Sequence, residues 1–369
     1  MNKLFILLIC GLFILSLAPA RAQTLLTKEA MNNFAQYMKT NDLKKLELAR
    51  AKIDEAYKSK SDSIAFRNNL IRGLVYSTFA YIDSNLKFTY KKDPLEEVIL
   101  SMNKVYGSKN ERQNRDKINY IESQLKQIYL FRANSALKSG KLTEALKYFK
   151  ILEPLDRSNI SIIHNLALIS QELGQYPQAI SYYEKLITFR SRPEYYLVVA
   201  NLYELLNDDF SVVRVLKAGA NRFINNRDIL FKLINTLQNR NDYSEISNYI
   251  APAIALDQEN INLIYLAGFS HEMLGNIIKA EQYYKLILEI NPNNYDANYS
   301  LGLLYLNLYL RDKKQDKIKY VAKSYLLKAN EISPNELKSL NSLAIFLKNS
   351  GEISELQKIN NRINQLKLN

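Results

Sequence analysis

The chain has 369 residues, of which 24% are charged and 47% hydrophobic, with a formal net charge of +13, two histidines and one cysteine. This length supports a large apolar core, or several small ones in series, without covalent staples, and one cysteine excludes a disulfide framework or a cysteine-built metal site. Beyond the N-terminal segment no apolar run approaches the roughly 20 residues of a membrane-spanning helix.

Met1 to Ala22 read as a secretory signal peptide. Lys3 gives a positive start, Leu4 to Leu17 is apolar apart from Gly11 and Ser16, and Ala20-Arg21-Ala22 is an A-x-A cleavage site. A run of about 14 residues is short for an uncleaved anchor, which needs roughly 20. Cys10 follows Ile9, where a lipidation signal wants a small residue. The mature chain is therefore expected to begin at Gln23, free of cysteine, with a charge of 13 − 2 = +11 once Lys3 and Arg21 leave. The expected location is a bacterial periplasm, the outer envelope or the exterior, with no transmembrane segment after cleavage. Nucleic acid is then not an expected partner. The positive excess suits an anionic envelope polymer, or it solvates the faces of lysine-rich helices.

Residues 23–111 are expected to form two diverged helical hairpins. The first runs from Leu25 to Thr40, turns at Asn41-Asp42, and returns from Leu43 to Tyr57. The second runs from Ser63 to about Asn85, crosses Lys91-Lys92-Asp93-Pro94, and returns from Leu95 to Tyr106. Pro94 suits a first helical turn, where its missing N–H has no partner to lose. Asp116 to Ser139 reads as one long helix.

Residues 112–369 carry an internal period near 34. Gly140 opens G-K-L-T-E-A-L-K-Y-F, Gly174 opens G-Q-Y-P-Q-A-I-S-Y-Y, and Gly275 opens G-N-I-I-K-A-E-Q-Y-Y. Asn241 lies 34 before Gly275, and Gly351 lies 76 after it. Each Gly or Asn marks a turn where a left-handed backbone is cheap. A small residue follows at five and a large one four later, in Ala145 and Phe149, Ala179 and Tyr183, Ala280 and Tyr284. At Ile290 to Leu306, Pro292 ends one helix and Asn293-Asn294 are suited to cap the next. The expected repeats are 126–159, 160–193, 194–226, 227–260, 261–294, 295–336 and 337–369. The third is out of phase by about one residue near Asn207. The sixth carries eight extra polar residues near Arg311 to Lys317, which either lengthen both helices or form a loop.

This grammar resembles the tetratricopeptide repeat family, most closely over Ile261 to Pro292 and then Tyr295, Leu301, Gly302 and Tyr305. The resemblance implies an all-α fold: a right-handed superhelical solenoid of stacked antiparallel helical hairpins. It also implies a concave groove lined by the first helix of each repeat. Counting positions gives Asn134 and Leu137, then His164 and Gln171, then Asn201. Phe231, Asn235 and Gln238 follow, then Tyr265 and Phe269, then Tyr299, with Leu130, Leu168, Glu204, Glu272, Leu303 and Leu306 beside them. Amides that both donate and accept suit a peptide backbone. Leu130 stands where the family's chaperone-tail binders place a lysine of their carboxylate clamp, so that activity is not carried over.

Nothing in the chain suggests catalysis. No G-x-x-x-x-G-K-[ST], G-x-S-x-G or H-E-x-x-H string occurs. His164 and His271 stand about three repeats apart, whereas a metal needs three or four convergent ligands. No cofactor, metal or enzymatic activity is expected. The expected function is an exported scaffold that binds a protein or peptide in its groove, in envelope assembly or secretion. The alternative is an envelope-polymer or glycan-binding module that uses the basic surface.

Overall fold

The structure, a computed structural model, describes residues 24–83 and 90–368. The expected signal peptide lies outside the described residues. All regular structure among the described residues is helical. The chain divides into two compact units, one ending at Phe189 and the other beginning at Arg190.

The first unit holds α1 (24–40), α2 (Leu43–Glu55), α3 (Lys60–Ile64), α4 (Phe66–Ile82) and α5 (Pro94–Val105). It continues with α6 (Arg115–Lys138), α7 (Leu142–Leu152), α8 (Ile160–Glu172) and α9 (Tyr176–Phe189). One core runs through it, from Phe34 and Leu46 past Leu74, Met102 and Ile121 to Phe149 and Leu166. The N-terminal hairpins thus share their core with the first repeats. The helix expected from Ser63 is in fact two. Ser59 and Asp62 close a capping box on α3, and Ala65 then adopts extended backbone at φ −64° and ψ 123° before α4 starts. The break lets α4 pack against α2, α5 and α6, so nearly all of its surface is covered.

The second unit holds α10 (Pro193–Leu205), α11 (Asp209–Arg222), α12 (Arg227–Asn239), α13 (Tyr243–Leu256) and α14 (Ile261–Met273). It continues with α15 (Ile277–Ile290), α16 (Tyr295–Arg311), α17 (Asp316–Ile332), α18 (Leu337–Ser350) and α19 (Ile353–Leu368). Each helix packs on the next in order, which makes a stack of antiparallel hairpins.

The turns explain the period. Gly140, Gly174, Asn207, Asn241 and Gly275 all have positive φ, between 55° and 74°. The residue after each closes back on the carbonyl five before it: Lys141 N to Ala136 O at 2.9 Å, Gln175 N to Ser170 O at 2.8 Å, Asp208 N to Tyr203 O at 3.0 Å, and Asn276 N to His271 O at 2.8 Å. This hydrogen bond satisfies a carbonyl that the helix end leaves open. Asn207 stands 33 after Gly174 and 34 before Asn241, so the third repeat is one residue short and otherwise in register.

The starts of the first helices follow a second rule. Asn226, Asn260 and Asn294, each 34 apart, accept from the backbone N–H three residues on, at 3.0, 3.2 and 2.9 Å. Asn159 does the same for α8. The capping expected of Asn294 is present. In the sixth repeat both helices lengthen: α16 has 17 residues against 13 in α14, and α17 has 17 against 14 in α15. The eight extra residues are therefore almost wholly helix.

Small residues set the spacing inside the hairpins. Ala145, Ala179 and Ala280 are fully buried, as are Phe149 and Tyr284. At Gly268 an added Cβ would lie 2.6 Å from Tyr284 Cε1, and at Gly302 it would lie 2.8 Å from Leu326 Cδ2. These two glycines let the second helix approach closer than any side chain allows.

Candidate functional site

The first helices of the second unit touch one another along one face. Lys232 Nζ on α12 meets Glu204 on α10 at 2.8 Å. The Tyr265 hydroxyl on α14 pairs with Ser300 Oγ on α16 at 3.3 Å, and the Tyr299 hydroxyl on α16 pairs with Ser342 Oγ on α18 at 3.2 Å. Residues that join neighbouring first helices in this way line the layer they form.

An aromatic cluster sits in that layer. Tyr265 and Phe269, one turn apart on α14, stack with centroids 6.5 Å apart at 9°. Tyr243, at the start of α13, meets Phe269 edge-on at 5.3 Å. Tyr295 and Tyr299 repeat the stacked arrangement on α16 at 5.7 Å and 9°. Below them Tyr265 rests on the core ring of Tyr284 at 5.6 Å. Burial pushes the Tyr265 hydroxyl above the usual tyrosine range, so it stays a neutral hydrogen-bonding group. Tyr284 is pushed up further, by burial and by its hydrogen bond to Glu272 at 2.7 Å.

Exposed amides stand on the preceding first helices. Asn235 and Gln238 on α12 and Asn201 on α10 are exposed and hold no side-chain hydrogen bond among the described residues. Phe231 is half-buried, with the Arg227 guanidinium 5.0 Å over its ring. The first helices of the second unit therefore carry flat apolar rings on α14 and α16 and unpaired amide donors and acceptors on α10 and α12.

The other predicted residues fall in the first unit. Asn134 is exposed, while Leu137 is half-buried and packs on the core. His164 is half-buried and engaged by its surroundings. Gln171 Oε1 accepts from the Tyr183 hydroxyl at 3.1 Å, as Glu272 does from Tyr284. Position for position these are the same contact 101 residues apart, so Gln171 joins its own hairpin together. Leu306, counted with the groove, is instead 3% exposed in the core of the lengthened sixth repeat. It shares that core with Leu326 of α17 and with Leu343, Phe346 and Leu347 of α18.

Tyr243 and Tyr295 were missed by counting positions. Tyr243 belongs to a second helix, which the groove rule leaves out, and Tyr295 precedes the counted positions of its own helix. The signal for both was spacing from the turn, directly after Asp242 and Asn294. His271 is buried and stacks on Tyr283 at 5.6 Å and 5°. Among the described residues no three His, Cys, Asp or Glu side chains converge for a metal, and no helix is long and apolar enough to cross a membrane.

Residues 160–192 and 261–294 match the family model described as tetratricopeptide repeat. No curated protein matches the chain. Similar solved structures include MamA, 19% identical, covering 46% of this chain and 94% of that one at a TM-score of 0.39. YrrB, described as a TPR protein with an unusual peptide-binding site, is 17% identical, covering 53% and 96% at 0.37. The C-terminal part of a TPR repeat-containing protein from Cytophaga hutchinsonii is 17% identical, covering 64% and 95% at 0.42. Likenesses this low say nothing about ligand. Residues 160–192 and 261–294 are thus tetratricopeptide repeats, and the same turns, caps and small-to-large contacts recur around them.

Proposed function

We propose that the protein is an exported scaffold that holds an extended segment of a partner protein along the first helices of its second unit. The observation that carries this is the aromatic cluster of Tyr243, Tyr265 and Phe269, with the unpaired amides of Asn235 and Gln238 on α12, the preceding first helix. Rings take apolar side chains of the segment, and the amides take its backbone N–H and C=O groups. Export rests on the signal-like residues Met1 to Ala22, and with it an envelope setting, where such scaffolds assemble or secrete other proteins.

The test uses the mature chain as bait against an envelope extract, beside an Asn235→Ala, Phe269→Ala double variant. The expected result is a discrete protein recovered by the parent and lost by the variant, with the same discrimination when that protein is purified and titrated. Loss of one well-buried aromatic anchor costs about 2 kcal/mol, or roughly thirtyfold in affinity. Equal recovery by parent and variant, with retention that falls steeply as salt rises, overturns the proposal in favour of the anionic-polymer reading.

A further inference from the structure

The first unit contains a cavity of about 540 Å³ among α2, α4 and residues 90–92. It is lined by Arg50, Asp54, Tyr57, Arg72, Tyr76 and Tyr90, and Lys91 and Lys92 add two cations. It shares no residue with the groove face of the second unit. Its size falls within the range of small-molecule sites, roughly 300 to 1,000 Å³.

The acids in and behind this cavity are Asp54 and Glu97, with Asp83, 3% exposed, beside the Tyr90 hydroxyl. Arg72 is 3% exposed. Its Nη1 donates to Asp54, its Nη2 to Glu97, and its Nε to Glu97 at 3.1 Å. Lys92 Nζ lies 3.6 Å from the same Glu97. The buried Arg72 is thus balanced by Asp54 and Glu97, as a buried charge must be, and the exposed Lys92 lies at the edge of the same network. Arg50 and Lys91 remain. Neither has an ion pair among the described residues. The Arg50 guanidinium instead lies over two rings, 5.0 Å from the centroid of Phe79 and 6.0 Å from that of Tyr90. This placement fixes its plane while leaving its N–H donors unclaimed by an acid.

The aromatic walls are held in place by the same network. The Tyr76 hydroxyl donates to the Asp54 carboxylate at 2.9 Å. The Tyr57 hydroxyl donates toward Ser63 O and Asn69 Oδ1, each at 3.0 Å, and accepts from Lys104 Nζ at 2.9 Å. Arg72 sits 4.6 Å from the Tyr57 centroid and 4.5 Å from that of Tyr76. Both hydroxyls are therefore already engaged, and the rings are what the walls present. Asp54 is 43% exposed, which leaves room on it to accept one further donor.

We propose that this cavity is a second ligand site, for a small ring-bearing anion. Arg50 and Lys91 hold the carboxylate or phosphate, the tyrosine rings hold the flat ring, and Asp54 accepts from a hydroxyl on it. A partly enclosed guanidinium fixed on aromatic faces pairs with such anions through parallel N–H donors, which a freely solvated lysine does not match.

The probes are phenyl phosphate, inorganic phosphate and phenol, titrated calorimetrically into the folded full mature chain. The expected order is phenyl phosphate tightest, at least about tenfold over inorganic phosphate, with phenol weakest. Arg50→Ala should weaken phenyl phosphate by about tenfold or more, the loss of one charge-assisted hydrogen bond. Lys91→Ala, an exposed change that spares the fold, should weaken it several-fold, and Lys117→Ala should leave it unchanged. Benzoate in place of phenyl phosphate tells which anion the site prefers and leaves the site itself in question only if both fail. Absence of saturable binding up to about 10 mM overturns the proposal. So does equal binding of phenyl phosphate and inorganic phosphate, or parent-like affinity in the Lys91→Ala variant and in a folded Arg50→Ala variant.

Discussion

Helix α4 in the N-terminal hairpins and helix α14 in the repeats are both central, yet they are covered differently. α4 buries thirteen of its seventeen residues, Asn68, Asn69 and Arg72 among them. α14 buries seven of thirteen and leaves Tyr265 and Phe269 on an open side. A helix surrounded on all sides has no water to turn its polar groups toward, so it must pair them internally. Asn68 does so with Thr27 and the carbonyls of Ala56 and Asp62, and Arg72 does so with two carboxylates. A repeat helix keeps one face free by construction. The irregular region thus derives its rigidity from polar pairing, and the regular one from small-to-large apolar contacts and capped ends.

The largest effect expected from breaking that contrast is at Arg72. Arg72→Met leaves Glu97, 7% exposed, with only the solvent-exposed Lys92, 3.6 Å away, to offset its charge. The expected loss is about 3–5 kcal/mol, read by urea unfolding with circular dichroism. Adding Glu97→Gln should recover part of it, and a neutral Arg72→Met would show that polar pairing does not hold the N-terminal hairpins together. In the repeats the counterpart is Gly268→Ala. Its Cβ would meet the fully buried Tyr284 ring at 2.6 Å, and an overpacked core costs about 1–3 kcal/mol. The same change at Gly174 meets no atom within 4 Å but sits at φ +70°, so its cost of about 1–2 kcal/mol is backbone strain alone.

Asn226→Ala removes the cap that receives Ile229 N–H at 3.0 Å. It should lower stability by about 1 kcal/mol, whereas Ala65, ahead of α4, makes no side-chain cap and has nothing comparable to lose. The smallest effect is the pH dependence of His271. Burial, with Lys279 adding to it, lowers its folded pKa below the ordinary 6.5. The unfolded chain then binds the proton more readily, so this contribution to stability is complete above pH 6.5 and is lost as pH falls through the folded value. His271→Phe should flatten the fall in melting temperature between pH 7 and about pH 5 relative to the parent, and an unchanged slope would assign it to other groups.

Local rules account for most of what could be read in advance. A left-handed turn needs Gly or Asn, and an N-cap needs a short polar side chain. Both demands depend on a few neighbouring residues, so Gly140, Gly174, Asn241, Gly275 and Asn294 announced the hairpins and their period without reference to anything distant. The alternation of small and large residues did the same for the inside of each hairpin. Contacts between distant residues announced nothing. Arg72 reads as one more basic residue on a helix until α2 and α5 bring Asp54 and Glu97 to it. Tyr243 and Phe269 meet only because consecutive hairpins pack. Leu306 counts as a groove residue until α17 and α18 bring Leu326, Leu343 and Phe346 into the same core. The repeat was written residue by residue in the sequence because backbone geometry is local, while the aromatic cluster and the charged cavity were decided by packing, which no short stretch of chain specifies alone.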